Sequence, residues 1–226
     1  FVEGGMGFLT WVAMLIDASK HHADPKERER AEDVVGLLTP VVKGFLTEEG
    51  YRLCGLSQQV FGGHGYIEEW GMSQFVRDAR ITMIYEGTNG IQAMDLLGRK
   101  LGMNEGRPIM DLMGEIQKII AQAKENPAIA ELGGKLEEAL NKLGEVAMHM
   151  GTTAMSAKAL DAFAFAYPFM EVAGDVVMAW MLLWRAVIAA RNLDSGAKKK
   201  DVAFYEGQVK SAEFFIGVML PVTQGR

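Results

Sequence analysis

Three short clusters in the first half of the sequence hold the residue types from which a reaction could be built. The first is Gln59-Val60-Phe61-Gly62-Gly63-His64-Gly65-Tyr66. Closely spaced glycines let backbone approach a ligand or turn sharply. The same residues also read as a plain helix C-cap followed by a turn. The second is Arg77-Asp78-Ala79-Arg80, whose two arginines share one face of a helix and read as a solvated, salt-bridged surface. The third is Tyr85-Glu86-Gly87-Thr88-Asn89-Gly90-Ile91-Gln92. Glu86 ends the apolar run from Ile81 to Tyr85, and desolvation there would raise its pKa toward that of a useful general base. A neighbouring helix N-terminus would act in the opposite direction. Thr88 is suited to N-cap a helix running to Lys100. Glu86 therefore reads either as a base or as a carboxylate that helps to cap this helix.

Other chemistries find less support. His21 and His22 are adjacent and point to different sides of a helix. Neither His64 nor His149 has a partner at a ligand spacing, so no metal site is expected. Cys54 is the single cysteine, which excludes an internal disulfide and a cysteine-based zinc site. It reads as a small buried hydrophobe. No phosphate-binding glycine loop of the Walker or dinucleotide type is present. The net charge is −6, from 23 Lys and Arg against 29 Asp and Glu, and this balance speaks against nucleic acid as a partner.

The elements that must position these clusters are helical by periodicity. The chain has 226 residues, 49% hydrophobic and 23% charged, which is ordinary globular usage. Val34, Leu37, Leu38, Val41, Val42 and Phe45 fall on one helix face. Pro40 lies inside that run and is expected to kink or break the helix. Further stripes run from Ile109 to Ala123, from Leu132 to Met150, and from Phe204 to Met219. Asn126-Pro127 reads as a helix start, and Pro168 as the opening of a helix that runs to about Asn192. Only Arg80 to Tyr85 has strand-like residue types, over too short a stretch to decide. The fold class expected is all-α. A polar, glycine-bearing boundary at Gly102 to Pro108 suggests two domains, 1–104 and 105–226. The apolar segment Val176 to Ala190 is interrupted by Arg185 and falls short of the ~20 residues a bilayer needs, so it is expected to be a buried bundle helix and not a membrane span. No targeting segment is visible, and a cytoplasmic location is expected.

Taken in order and spacing, the three clusters resemble a known family. Gln-x-x-Gly-Gly-x-Gly-Tyr, then Arg-Asp-x-Arg-Ile, then Ile-Tyr-Glu-Gly-Thr-x-x-Ile-Gln is similar to the C-terminal helical domain of the acyl-CoA dehydrogenase flavoenzymes, over about residues 1–101. The resemblance implies a four-helix bundle, followed in this chain by a second helical bundle. It implies FAD-dependent oxidation of an acyl-CoA thioester to the trans-2-enoyl-CoA. Glu86 falls on the position of the base that removes the α proton, and Gly87 on a position lying against the acyl thioester. Thr88 matches a residue that contacts FAD. Asn89 and Gly90 fall on the cofactor-binding stretch, with Gly90 where members often carry glutamine. Gln59, Gly62 and Gly63 match a segment that holds the adenosine diphosphate of FAD, characteristically from a neighbouring subunit. The partners implied are the acyl-CoA substrate, an electron-transferring flavoprotein as acceptor, and further copies of the chain in a homodimer or dimer of dimers. Glu3-Gly4-Gly5-Met6-Gly7 resembles a helix that often bears arginine in relatives, and here it bears none.

The region after about residue 107 resembles the subgroup that includes 3-methylmercaptopropionyl-CoA dehydrogenase. The chain is thus expected to be a C-terminal part of a longer enzyme and inactive alone. Two alternatives are a catalytically silent helical oligomerisation module and an acyl-CoA oxidase. A carboxylate placed before Gly-Thr speaks against the silent module.

Overall fold

The computed structural model describes residues 1–225, the side chain of Gln224 excepted, and no strand occurs among them. Ten α-helices follow one another: α1 (Val2–His21), α2 (Pro25–Val60), α3 (Gly63–Tyr66), α4 (Met72–Thr82), α5 (Asn89–Asp95), α6 (Arg107–Lys124), α7 (Ala130–Ala154), α8 (Ala159–Ala164), α9 (Ala166–Asp194) and α10 (Val202–Phe214). The all-α reading of the periodicity holds.

Local chemistry explains the main boundaries. α2 starts where the Asp24 carboxylate accepts from the Lys26 N–H at 2.9 Å and Pro25 takes the first helical position, where its missing N–H costs nothing. Asn126-Pro127 opens a turn rather than a helix. The Asn126 carboxamide oxygen accepts from Ala128 N, and α7 begins at Ala130. α9 begins at Ala166, two residues before Pro168, and ends against Gly196 in a left-handed conformation. The expected break at Pro40 does not occur, and α2 runs on through 36 residues. Pro40 forfeits one backbone bond there. Both halves of α2 are held by neighbours, including α1, α4, α5 and α9, and this packing outweighs the local loss.

The core is centred on α9. Seventeen of its residues are buried, from Ala166 to Ala190. α9 is apolar and long enough to cross a membrane by length and composition, yet it lies inside the protein against α1, α2, α5, α6, α7 and α10. Trp180, 1% exposed, stacks on Trp184 at 5.9 Å and meets Trp11 of α1 edge-on at 4.8 Å. α2 and α9 approach closely where glycine removes the side chain. A Cβ on Gly174 would lie 2.2 Å from Phe45 Cγ, and one on Gly44 would lie 2.4 Å from Met170 Sδ. Burying a side chain such as Phe45 fully contributes about 1.5–3 kcal/mol, so these two glycines protect some of the core's best-packed contacts. The chain reverses at residues 104–106, all with positive φ, inside the boundary expected at residues 102–108. One continuous hydrophobic core nevertheless spans both segments.

Candidate active site

The Glu86 cluster is a tight loop between α4 and α5. The strand-like run from Arg80 to Tyr85 is in fact a helix end. Met83 N bonds Arg80 O, and Ile84 N and Tyr85 N both bond Ile81 O. Two left-handed residues follow, Glu86 at φ 54° and Gly87 at φ 89°. A non-glycine residue in this region is uncommon and strained, and such outliers concentrate at functional positions. Several bonds hold the loop. Asn89 N donates to Met83 O at 3.1 Å, and the Gln92 carboxamide donates to Glu86 O at 3.4 Å. Thr88 caps α5 as the sequence suggests, accepting from Ile91 N at 3.3 Å, and its hydroxyl proton remains able to donate outward. Past Asp95 the helix widens into a π-type turn over Leu96–Lys100.

The Glu86 side chain is exposed. The run before it does not enclose it, since Ile84 and Tyr85 are themselves about half exposed, at 48% and 50%. The desolvation anticipated from that run is therefore not supplied by this chain: the run curls into a helix end and turn instead of a wall. The charge of Glu86 bears on Lys43 of α2. Burial pushes the Lys43 ammonium pKa down, and the negative charge of Glu86 works against that shift.

Beneath the loop lies a polar cluster that the sequence reading missed. Asn89 is 4% exposed and every polar end of its side chain is used. Its carboxamide oxygen accepts from Lys43 Nζ at 2.9 Å and lies 3.1 Å from Thr47 Oγ1, whose single proton is held by Lys43 O at 2.6 Å, and its NH2 donates to Glu48 Oε2 at 3.2 Å. The Tyr167 hydroxyl of α9 donates to the same Glu48 oxygen. Burial and the adjoining Glu48 carboxylate together push the Tyr167 phenol well above its ordinary value. The Asn89 side chain and its backbone N–H are thus both engaged within the chain. One signal was present: Glu48 falls on the apolar stripe of α2, seven residues after Val41 and three after Phe45.

The glycine cluster is a separate patch at the far end of α2. Thr47 and Gln59 are roughly 18 Å apart along that helix at ~1.5 Å per residue. Gln59, Gly62 and Gly63 are exposed, and a Cβ at either glycine would meet nothing within 4 Å. That open backbone fits close approach by a diphosphate. Gly65 differs from them. It is buried, and a Cβ there would lie 2.3 Å from Gln58 O, while Gln58 Nε2 donates to Gly65 O at 3.0 Å. Gly90 has room for a side chain, with Thr88 Oγ1 3.9 Å away from the Cβ position. Arg77 pairs with Glu68 at 2.9 Å and Arg80 lies over the Tyr51 ring, the surface reading of that cluster. A cavity of about 640 Å³ elsewhere, lined by Leu38, Ile116, Leu140 and Val177 among others, includes none of residues 83–90.

Residues 112–226 match the family model described as acetyl-CoA dehydrogenase C-terminal like, and residues 13–101 match the acyl-CoA dehydrogenase C-terminal domain. A butyryl-CoA dehydrogenase of Syntrophomonas wolfei is 32% identical over 91% of this chain and 34% of its own length. The 3-methylmercaptopropionyl-CoA dehydrogenase of Ruegeria pomeroyi is 34% identical over 94% of this chain and 36% of its own. The broad-specificity linear acyl-CoA dehydrogenase FadE5 of Mycobacterium tuberculosis is 30% identical over 98% and 37%. Among solved structures, Caenorhabditis elegans ACDH-11 in complex with C11-CoA shares the fold, with a TM-score of 0.73 at 21% identity over 95% of this chain and 33% of that one. The chain spans about a third of the length of these proteins. By the match to both of its C-terminal models, this chain belongs to the acyl-CoA dehydrogenase family.

Proposed function

We propose that the chain is the C-terminal part of an FAD-dependent acyl-CoA dehydrogenase that oxidises an acyl-CoA thioester to the trans-2-enoyl-CoA, with Glu86 as the base. The observation that carries this reading is the loop itself. It holds a carboxylate outward on a strained left-handed residue, directly before a glycine and a capping threonine. Glu86 Oε atoms accept the α proton. Gly87, with no side chain, leaves the acyl thioester room to lie against the loop. A carboxylate is a weak base in water, so the surfaces that dry it must come from outside this chain, and the chain alone is expected to be inert.

FAD, when bound, supplies the acceptor for the hydride that leaves the β carbon. Thr88 is suited to donate a hydrogen bond to it, and the open Gln59–Gly63 backbone is suited to hold its diphosphate. The separation of that backbone from the Glu86 loop along α2 supports its serving a second subunit's site, in a homodimer or dimer of dimers. An electron-transferring flavoprotein is the proposed acceptor. The test is to purify the complete protein, record its flavin absorbance, and mix it anaerobically with acyl-CoA thioesters of graded length. Bleaching with at least one of them is expected. A protein without flavin, or a flavin left oxidised by every thioester, would overturn the reading.

A further inference from the structure

We infer that Tyr167 is a positioning residue for the Glu86 loop, acting from the C-terminal region through Glu48 and Asn89. The catalytic consequence of this inference rests on the reading of Glu86 as base; the positioning itself does not.

The argument follows the atoms. The Tyr167 hydroxyl and the Asn89 NH2 both donate to Oε2 of Glu48. The other end of the Asn89 carboxamide accepts from Lys43 Nζ. Only one orientation of that carboxamide works. Turned over, it would set its NH2 against an ammonium and its oxygen against a carboxylate. Asn89 is therefore fixed by its side chain, while its backbone N–H ties back to Met83 O across the loop. Glu86 lies between these two tied points, at φ 54°. A strained conformation persists only when its surroundings over-determine it, and this double tie supplies the constraint.

Tyr167 is the member most distant in sequence. It belongs to α9, whereas every other member is on α2 or α5. Without its hydroxyl the half-buried Glu48 carboxylate is one donor short and free to turn toward solvent, and Asn89 loses the anchor of its NH2. The C-terminal region thereby reaches the loop without touching Glu86 itself.

Tyr167→Phe keeps the ring and deletes the hydroxyl. In this chain, amide hydrogen exchange across Met83–Gln92 should quicken by about tenfold or more, the ratio set by one bond to a charged group. Exchange in α6 and α7 should stay as in the wild type. Asn89→Ala should produce the same loop signature, and the double variant should exchange no faster than Asn89→Ala alone. In the complete holoenzyme, Tyr167→Phe should slow flavin reduction at saturating acyl-CoA by about tenfold, with substrate affinity and flavin content unchanged. A Tyr167→Phe loop that exchanges at the wild-type rate would overturn the inference, as would independent, additive effects of the two substitutions. If the loop responds but Glu86→Gln reduces flavin normally, the base assignment is lost and the positioning stands. If Glu86→Gln is slow but the loop ignores Tyr167→Phe, the positioning is lost and the base assignment stands.

Discussion

Replacing Gly87 by alanine probes the loop geometry on which the proposed chemistry depends. Gly87 has φ 89°, a conformation that L side chains rarely adopt. A left-handed backbone costs a non-glycine residue about 1–2 kcal/mol. The new Cβ would also lie 2.8 Å from Gln92 Nε2 and 3.9 Å from Ile91 Cγ2. The Gln92 carboxamide is the far end of a flexible side chain, so it swings away at little steric cost. In swinging it gives up its bond to Glu86 O, worth about 1 kcal/mol. Alanine recovers about 0.5 kcal/mol by narrowing the unfolded ensemble. The net loss is therefore roughly 2 kcal/mol. Urea unfolding should show a lower midpoint at unchanged slope, and Tm should fall by about 4–8 °C for a chain of this size. Gly90→Ala is the matched control. Gly90 lies within α5 with a right-handed backbone and open space at its Cβ, so alanine there should be neutral or slightly stabilising. Gly87→Ala with wild-type stability, or Gly90→Ala equally destabilised, would refute the reasoning.

Two further outcomes follow from the packing and the polar cluster. Gly174→Ala should destabilise by about 1–3 kcal/mol in denaturant titration, because its Cβ would meet the ring of Phe45, which is 1% exposed and cannot give way cheaply. The Tyr167 phenol is raised in the folded state, so its contribution to stability is complete below the unfolded value of ~10 and fades as pH climbs above it. Tyr167→Phe should thus be less stable than wild type near neutrality, and that gap should narrow between about pH 10 and 12 in unfolding curves.

The helices were legible because burial leaves a 3.6-residue imprint. Val34, Leu37, Leu38, Val41 and Phe45 are all buried as the stripe requires, and Ile116, Ile120, Leu136 and Leu140 behave likewise. Pro40 does not break α2 because its local cost, though real, is small beside the contacts the helix makes with α1, α4, α5 and α9. Thr88 could be read as a cap because capping is chemistry between near neighbours in sequence. The Asn89 cluster could not be assembled that way. Its bonds join residues 41 to 46 apart, and Tyr167 lies 119 residues from Glu48, so only the crossing of α2, α5 and α9 brings them together. The surroundings of Glu86 could not be read for a related reason. An apolar run beside a carboxylate says nothing of whether that run folds over it, and Ile84 and Tyr85 turn away into half-exposed positions. The left-handed backbone of Glu86 leaves no mark in its residue type, since glutamate has no preference for it.

Flavin reduction by the Glu86→Gln variant of the complete enzyme tests the central claim most directly. Glutamine keeps the size and hydrogen-bonding reach of glutamate and removes the proton acceptor. Single-turnover mixing with acyl-CoA isolates the chemical step from product release. Glu86→Gln should retain flavin and bind substrate, yet reduce flavin about 10³-fold more slowly, in line with a positioned general base. Reduction near the wild-type rate would contradict the account, placing the base on another residue and leaving the strained loop without its catalytic purpose.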